Sequence, residues 1–356
     1  MKVKERESKF ELLRIVSMVM IMAGHYCYHG GLMFNGSSSN WMLSAFLKPG
    51  GKLGVTCFAL ISGYFMGKKD FDFMTVIKVA CQTVFYSILW TVIIFAMDGG
   101  IGIKAVVRQL FSPVYGGYWY VTAYLSMCLL TPLLNLISSR IEKSGGGILI
   151  YLGIIASVVP FVFVKSDFMV NNTIWMCFLY LIGAWLREHP LTKFKTRYIL
   201  IVFVLAILLM CFFALMANLI LKSISALGAD EVYDLTFYLS QMQSPLLFIA
   251  GVSLFELFSR VTIHSRAVNY IAASTFAVYL IHDNEYGRHI IWDSFNVSYF
   301  YNQPTGLVLL HIFICIITIF AVAIIAELIR KRIESVVLRL EPIKKIVQAV
   351  NIVTRI

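Results

Sequence analysis

A chain of 356 residues that is 59% hydrophobic and 14% charged, with a mean hydropathy of +0.80, carries more apolar surface than a water-soluble globule of this size can hide. The formal charge of +11 does not indicate nucleic acid, because the basic residues stand in short clusters between apolar runs rather than along one stripe. Lipid is therefore the expected solvent.

In chain order, Lys2, Lys4, Arg6 and Lys9 lead into a first apolar run with no small-residue cleavage site behind it. This start reads as a retained helix rather than a signal peptide. Apolar runs at 10–33, 53–66, 74–97, 118–138, 147–164, 172–187, 198–221, 235–258, 268–283 and 304–329 predict about ten transmembrane helices, the second, sixth and ninth being short. With the N-terminus inside, 22 of the 30 Lys and Arg residues fall on the inner side and 7 on the outer, with Lys78 inside the third helix. Both termini are therefore expected in the cytoplasm.

The outer loops are polar and small at Asn35–Asn40, acidic at Asp230–Asp234 and aromatic at 284–303. After the last span, 330–356 alternates basic and aliphatic residues at roughly helical spacing, interrupted by Pro342, as in an interfacial helix on the inner leaflet. The expected fold is thus an all-α polytopic membrane protein with one membrane domain, 1–329, and a cytoplasmic amphipathic tail, 330–356. Cys27, Cys57, Cys81, Cys128, Cys177, Cys211 and Cys315 lie in or beside apolar segments with no metal-like spacing. They read as free thiols packing as small hydrophobes, and no metal site is expected.

Ionisable groups inside a membrane are costly, so each is a candidate functional residue. Arg14 and His25 are eleven residues apart on the first helix, which places them on one face and about 16 Å apart along the axis. Two readings are open. Arg14 anchors a phosphate while His25 serves as a base at mid-membrane depth, or Arg14 snorkels to lipid headgroups and His25 bonds a neighbouring helix.

The second helix carries Gly54, Ser62, Gly63 and Tyr64 and ends at Lys68 and Lys69. Small residues there allow close helix approach, and Ser62 is placed to bond across an interface. Trp119 and Tyr120 open the fourth helix, either as an interfacial aromatic belt or as part of a site. Ser274, Tyr279, His282 and Asp283 lie together near the outer end of the ninth. His282 and Asp283 point about 100° apart, so the carboxylate need not touch that ring. His29, His189, His264 and His289 read as ordinary surface residues, and His311 as a satisfied interhelical bond.

In this order the segments Glu11-Leu-Leu-Arg14 with ten residues to His25, Gly54-Val55 through Phe58 to Ser62-Gly63-Tyr64, Trp119-Tyr120 to Tyr124 and Pro132, Leu181-Ile182-Gly183, and Tyr279-Leu280-Ile281-His282 resemble the membrane-bound acyltransferase family 3. These are bacterial O-acyltransferases that modify surface polysaccharides and related envelope molecules. The resemblance covers nearly the whole chain and implies a transferase in the bacterial plasma membrane. It would take an acyl group from cytoplasmic acyl-CoA, usually acetyl-CoA, as co-substrate and pass it to a hydroxyl of a cell-surface or lipid-linked glycan, with no tightly bound cofactor.

On that resemblance Arg14, with Lys68 and Lys69, would hold the donor. His25 would be the catalytic base or acyl carrier, with Glu11, Ser62, Tyr64, Trp119, Tyr120, Tyr279, His282 and Asp283 as supporting or acceptor-side candidates. The arginine-rich inner end of the second helix found in many members is here Lys68-Lys69. The wording of ELLR and YLIHDN is closest to members from Gram-positive bacteria. No SGNH-type hydrolase domain is expected in the chain, so a second half-reaction would use a partner or the membrane domain itself. A transporter or flippase of a lipid-linked sugar or small anion would use the same intramembrane Arg and His, but it often betrays itself by an internal repeat, and none is visible.

Overall fold

The computed structural model describes residues 6–99, 102–115, 117–149, 151–153, 172–225 and 241–337. Every regular element among them is helical. The principal helices are α1 (Ser8–Tyr28), α2 (Ser38–Met66), α3 (Phe73–Asp98), α4 (Trp119–Leu129), α5 (Thr131–Lys143), α6 (Asn172–Glu188), α7 (Thr196–Ser225), α8 (Pro245–Ser259), α9 (Arg266–Ala272), α10 (Thr275–His282) and α11 (Thr305–Val337). Short helices at Ile103–Leu110, Ser112–Tyr115 and Arg288–Ser294 and a 3₁₀ turn at Val297–Phe300 join them.

By length and apolarity, α1, α3, α7 and α11 each suffice to cross a bilayer, and α4 with α5, bent by 64° at their junction, form either a broken span or a re-entrant loop. The protein is a multi-pass membrane protein. Most of the span expected at 147–164, the loop Asp230–Asp234, the start of the span at 235–258 and the tail beyond Val337 lie outside the described residues. The final helix passes Arg330 without a break and runs on to Val337.

Local chemistry explains where helices depart from the apolar runs. The first helix, expected to reach residue 33, stops at Tyr28 because His29-Gly30-Gly31 turns the chain, Gly31 taking φ +80°. The second begins fifteen residues before its apolar run. Its polar first half is fixed by Asn40, whose side-chain amide donates to the carbonyls of Tyr301 and Gln303 and whose Oδ1 accepts from Thr305. The bend between α4 and α5 falls at Leu130, ahead of Pro132, which has no N–H to continue the ladder. The expected span 268–283 is broken into α9 and α10 by a turn at Ala273–Ser274, closed by Thr275 Oγ1 donating to the Ala272 carbonyl.

The core is a slab of α1, α2 and α6, with α8 against α2 and α10 against α11. Gly63 and Gly183 allow α2 and α6 to touch backbone to backbone. A Cβ on Gly63 would fall on the Tyr180 carbonyl, and one on Gly183 on the Leu60 carbonyl. By contrast α7 packs mainly on α8 and presents Leu200, Val202, Leu205, Leu209 and Phe212 outward along its length, as a lipid-facing helix does.

One buried charged group joins two helices through polar contacts. Glu327 of α11 accepts from Tyr86 (3.0 Å) and Gln82 (3.1 Å) of α3 and from Arg330 Nε and Nη2 (both 2.8 Å). Its lone pairs are therefore taken up by donors, which a carboxylate in this setting requires.

Candidate active site

His25 lies in the last turn of α1, since the helix stops at Tyr28 rather than near residue 33. Its Nδ1 stands 3.0 Å from His282 Nε2. His282 is the last residue of α10, fully buried, and its own Nδ1 lies 2.6 Å from the Val278 carbonyl oxygen. A carbonyl only accepts, so the hydrogen of a neutral His282 is on Nδ1 and its Nε2 is a lone pair. That lone pair takes the Nδ1 hydrogen of His25. The chain of bonds leaves His25 Nε2 as an unprotonated nitrogen, the form required of a base or a nucleophile.

Asp283 does not touch the His282 ring, as the 100° step between neighbours leads one to expect. Its Oδ1 points to His29 Nε2 (3.5 Å), His25 Nδ1 (3.7 Å) and Arg288 Nη1 (3.9 Å). His29 is thus part of the cluster rather than an ordinary loop residue. The charges of Lys52 and Arg288 both reach His25, and Lys52 Nζ is held 4.1 Å above the Trp119 ring. Neither cation stands out in the sequence, where each reads only as an outer-side charge. The i, i+4 step from His25 to His29 is the one local signal that joins His29 to its neighbour.

The end of α10 is secured from outside its own helix. Trp90 Nε1 donates to the Ile281 carbonyl (3.0 Å) and Tyr118 Oη to the Leu280 carbonyl (2.8 Å), satisfying two of the acceptors that a helix C-terminus leaves open. Asn284 donates to Tyr118 Oη and exchanges amide hydrogen bonds with Gln109. Tyr120 stacks on Tyr124 and meets Tyr279 edge-on at 5.4 Å. Tyr120 is therefore buried in protein, and Trp119 is partly buried beside it.

Toward the other end of α1, Arg14 Nη1 donates to Glu11 Oε1 at 2.7 Å, and the guanidinium charge reaches Tyr120 and Tyr124. Ser62 donates to the Phe58 carbonyl of its own helix at 2.8 Å and also pairs with the Tyr124 hydroxyl across the interface with α4, the contact expected of it. The Tyr64 ring packs on Phe10 and its carbonyl accepts from Arg187. Lys68 pairs with Glu188 at 2.9 Å and, with Arg187, lines a shallow cleft beside Ser138 and Trp185; Lys69 is exposed. The fold thus gathers His25, His282, Asp283, Tyr279, Tyr120 and Trp119 around the end of α1 and α10. Arg14 with Glu11 sits further along α1, and Lys68 and Lys69 stand apart at the end of α2. His311 accepts or donates to Tyr26 Oη at 2.8 Å, the interhelical bond expected of it.

No curated protein and no solved structure matches the chain. The family described as "Acyltransferase domain", number 3 of its series, matches residues 7–328, a stretch that includes every helix carrying the site. The chain therefore belongs to acyltransferase family 3 and is a membrane acyltransferase that transfers groups other than aminoacyl groups.

Proposed function

We propose that the protein is an O-acyltransferase of the bacterial plasma membrane, with acetyl as the first group to test. It would carry the acyl group from a CoA thioester on the cytoplasmic side to a hydroxyl of a cell-surface or lipid-linked glycan. The observation that supports this reading most is the hydrogen-bond chain from the Val278 carbonyl through His282 to His25, which leaves a lone pair on His25 Nε2.

Two routes use that lone pair. In direct transfer Nε2 takes the acceptor hydroxyl proton as the oxygen attacks the thioester carbonyl, and the imidazolium returns the proton to the departing CoA thiolate. In relay, Nε2 attacks the thioester carbonyl and CoA leaves as the thiolate; the acceptor oxygen then attacks the acyl-imidazolium, the carbon–Nε2 bond breaks, and the hydroxyl proton passes through the freed Nε2 to the thiolate. The nearby Lys52 charge suits the oxyanion that either route develops. Arg14, oriented by Glu11, and the Lys68-Lys69 pair would meet donor phosphates.

The test is transfer from labelled acetyl-CoA in membranes, with mass analysis of surface glycans in cells that carry or lack the protein. His25→Gln keeps hydrogen bonding but has no titratable nitrogen, and turnover should fall by roughly 10²–10⁴-fold while the protein still inserts and purifies as one species. Near-normal turnover in that variant returns His25 to a packing role.

A further inference from the structure

A metal ion needs lone pairs converging on one point, and the end of α1 supplies them from two distant stretches of chain. His29 continues the helical backbone of α1, with φ −77° and ψ −30°, so the imidazoles of His25 and His29 leave one face a turn apart. Paired histidines at this spacing hold zinc on helices elsewhere. Asp283 closes the set: one donor atom from each of His25, His29 and Asp283 lies within 4.8 Å of the other two. Ligands bound at about 2.0–2.1 Å to a tetrahedral zinc stand about 3.3 Å apart, close to the 3.5 and 3.7 Å that separate Asp283 Oδ1 from the two rings.

Two further observations point to a ligand. Asp283 Oδ1 is buried and accepts no well-formed hydrogen bond, although the Tyr279 hydroxyl lies within reach of the carboxylate, and native carboxylates seldom tolerate such a condition. The cations that would compete with an ion are placed to give way: Lys52 is held over Trp119, and Arg288 is 39% exposed and 3.9 Å from the oxygen. Two imidazoles and one carboxylate suit zinc, nickel or copper rather than magnesium or calcium.

We propose that His25, His29 and Asp283 form a binding site for a divalent transition metal of the zinc class, whose occupancy breaks the His25–His282 hydrogen bond. The nitrogen of His25 that faces Asp283 is Nδ1, the same atom that donates to His282. It cannot carry a hydrogen and give its lone pair to a metal. A neutral imidazole has one hydrogen and one ring lone pair, so coordination at Nδ1 moves the hydrogen to Nε2 and removes the lone pair there. Inhibition of acyl transfer follows, a consequence that rests on the proposed function; the binding site and the tautomer change do not.

The experiment uses the full-length protein in detergent, stripped with chelator and titrated with Zn²⁺. One ion per chain is expected, bound at least about tenfold more weakly by His29→Ala and by Asp283→Asn. Binding by a variant at the exposed His289 should be unchanged. Should His29→Ala fail to purify as a single species, His29→Gln replaces it. Nitrogen-15 NMR of labelled histidine should show the His25 hydrogen moving from Nδ1 to Nε2 as zinc binds. Equal zinc affinity in the wild type and both variants overturns the site, and an unchanged His25 tautomer with zinc bound overturns the switch. If both results are as expected but no acyl transfer is found without metal, the site stands and the proposed function fails.

Discussion

His282 Nε2 and His25 Nδ1 are 3.0 Å apart, with ring planes tilted by 45°. One hydrogen bond thus ties the end of α10 to the end of α1 and selects which nitrogen of His25 is free. The partner ring is itself oriented by a backbone carbonyl, so the selection is made by the fold and not by solvent.

Replacing His282 by Leu removes the acceptor and should lower turnover by about 10–10²-fold with little change in KM. His282→Gln, whose amide oxygen can accept from His25, should recover part of the loss. If Leu and Gln are tolerated equally, the contact is packing. His311→Gln keeps a partner for Tyr26 and should leave turnover near the wild-type value.

Arg14→Lys retains charge but loses the planar fork. Affinity for a CoA thioester, measured on the purified protein, should weaken on the order of tenfold, the size expected for one charge-assisted hydrogen bond. Unchanged affinity removes Arg14 from the donor site.

Gly183→Val puts side-chain atoms onto the Leu60 carbonyl and must separate α2 from α6. Overpacking of this kind costs about 1–3 kcal/mol, and thermal unfolding in detergent should show a lowered midpoint. A midpoint equal to that of the wild type means the two helices can part cheaply.

Glu327 is 3% exposed and Arg330 13%, so Glu327→Ala leaves a largely buried cation with the more exposed Glu334 as its remaining carboxylate and deprives Tyr86 and Gln82 of their acceptor. A loss below the roughly 3–5 kcal/mol of a wholly unpaired buried charge is expected, with Glu327→Leu combined with Arg330→Met less damaging than Glu327→Ala alone. Denaturant titration of the three variants decides the order.

Reporters fused after Lys69, Arg140 and Arg197 should lie in the cytoplasm, and those at Asn35 and Asp230 outside. Inversion at several of these points reverses the side from which the donor arrives.

Apolar runs made the helical class, and most of the helices, legible in the sequence, because burial in lipid is written residue by residue. The polar half of α2 was not legible, since Asn40 is held by carbonyls more than 250 residues away. The break between α9 and α10 was hidden for a related reason: a turn at Ala273–Ser274 interrupts an apolar pattern without changing it. In the candidate site, Arg14, His25 and His282 could be singled out as costly groups in apolar surroundings. The direct contact of His25 with His282, and the turn of Asp283 toward His29, depend on how α10 is clamped by Trp90 and Tyr118, which no local pattern encodes.

Where α2 and α6 meet at Gly63 and Gly183, no layer of side chains lies between the two backbones. Side-chain layers are what let packed helices slide, by exchanging one set of rotamers for another. Without one, this pair is expected to move as a single body. Any motion that opens the His25 end to an acceptor must then be taken up elsewhere, and the 64° bend at Leu130 is the natural hinge because its backbone ladder is already interrupted.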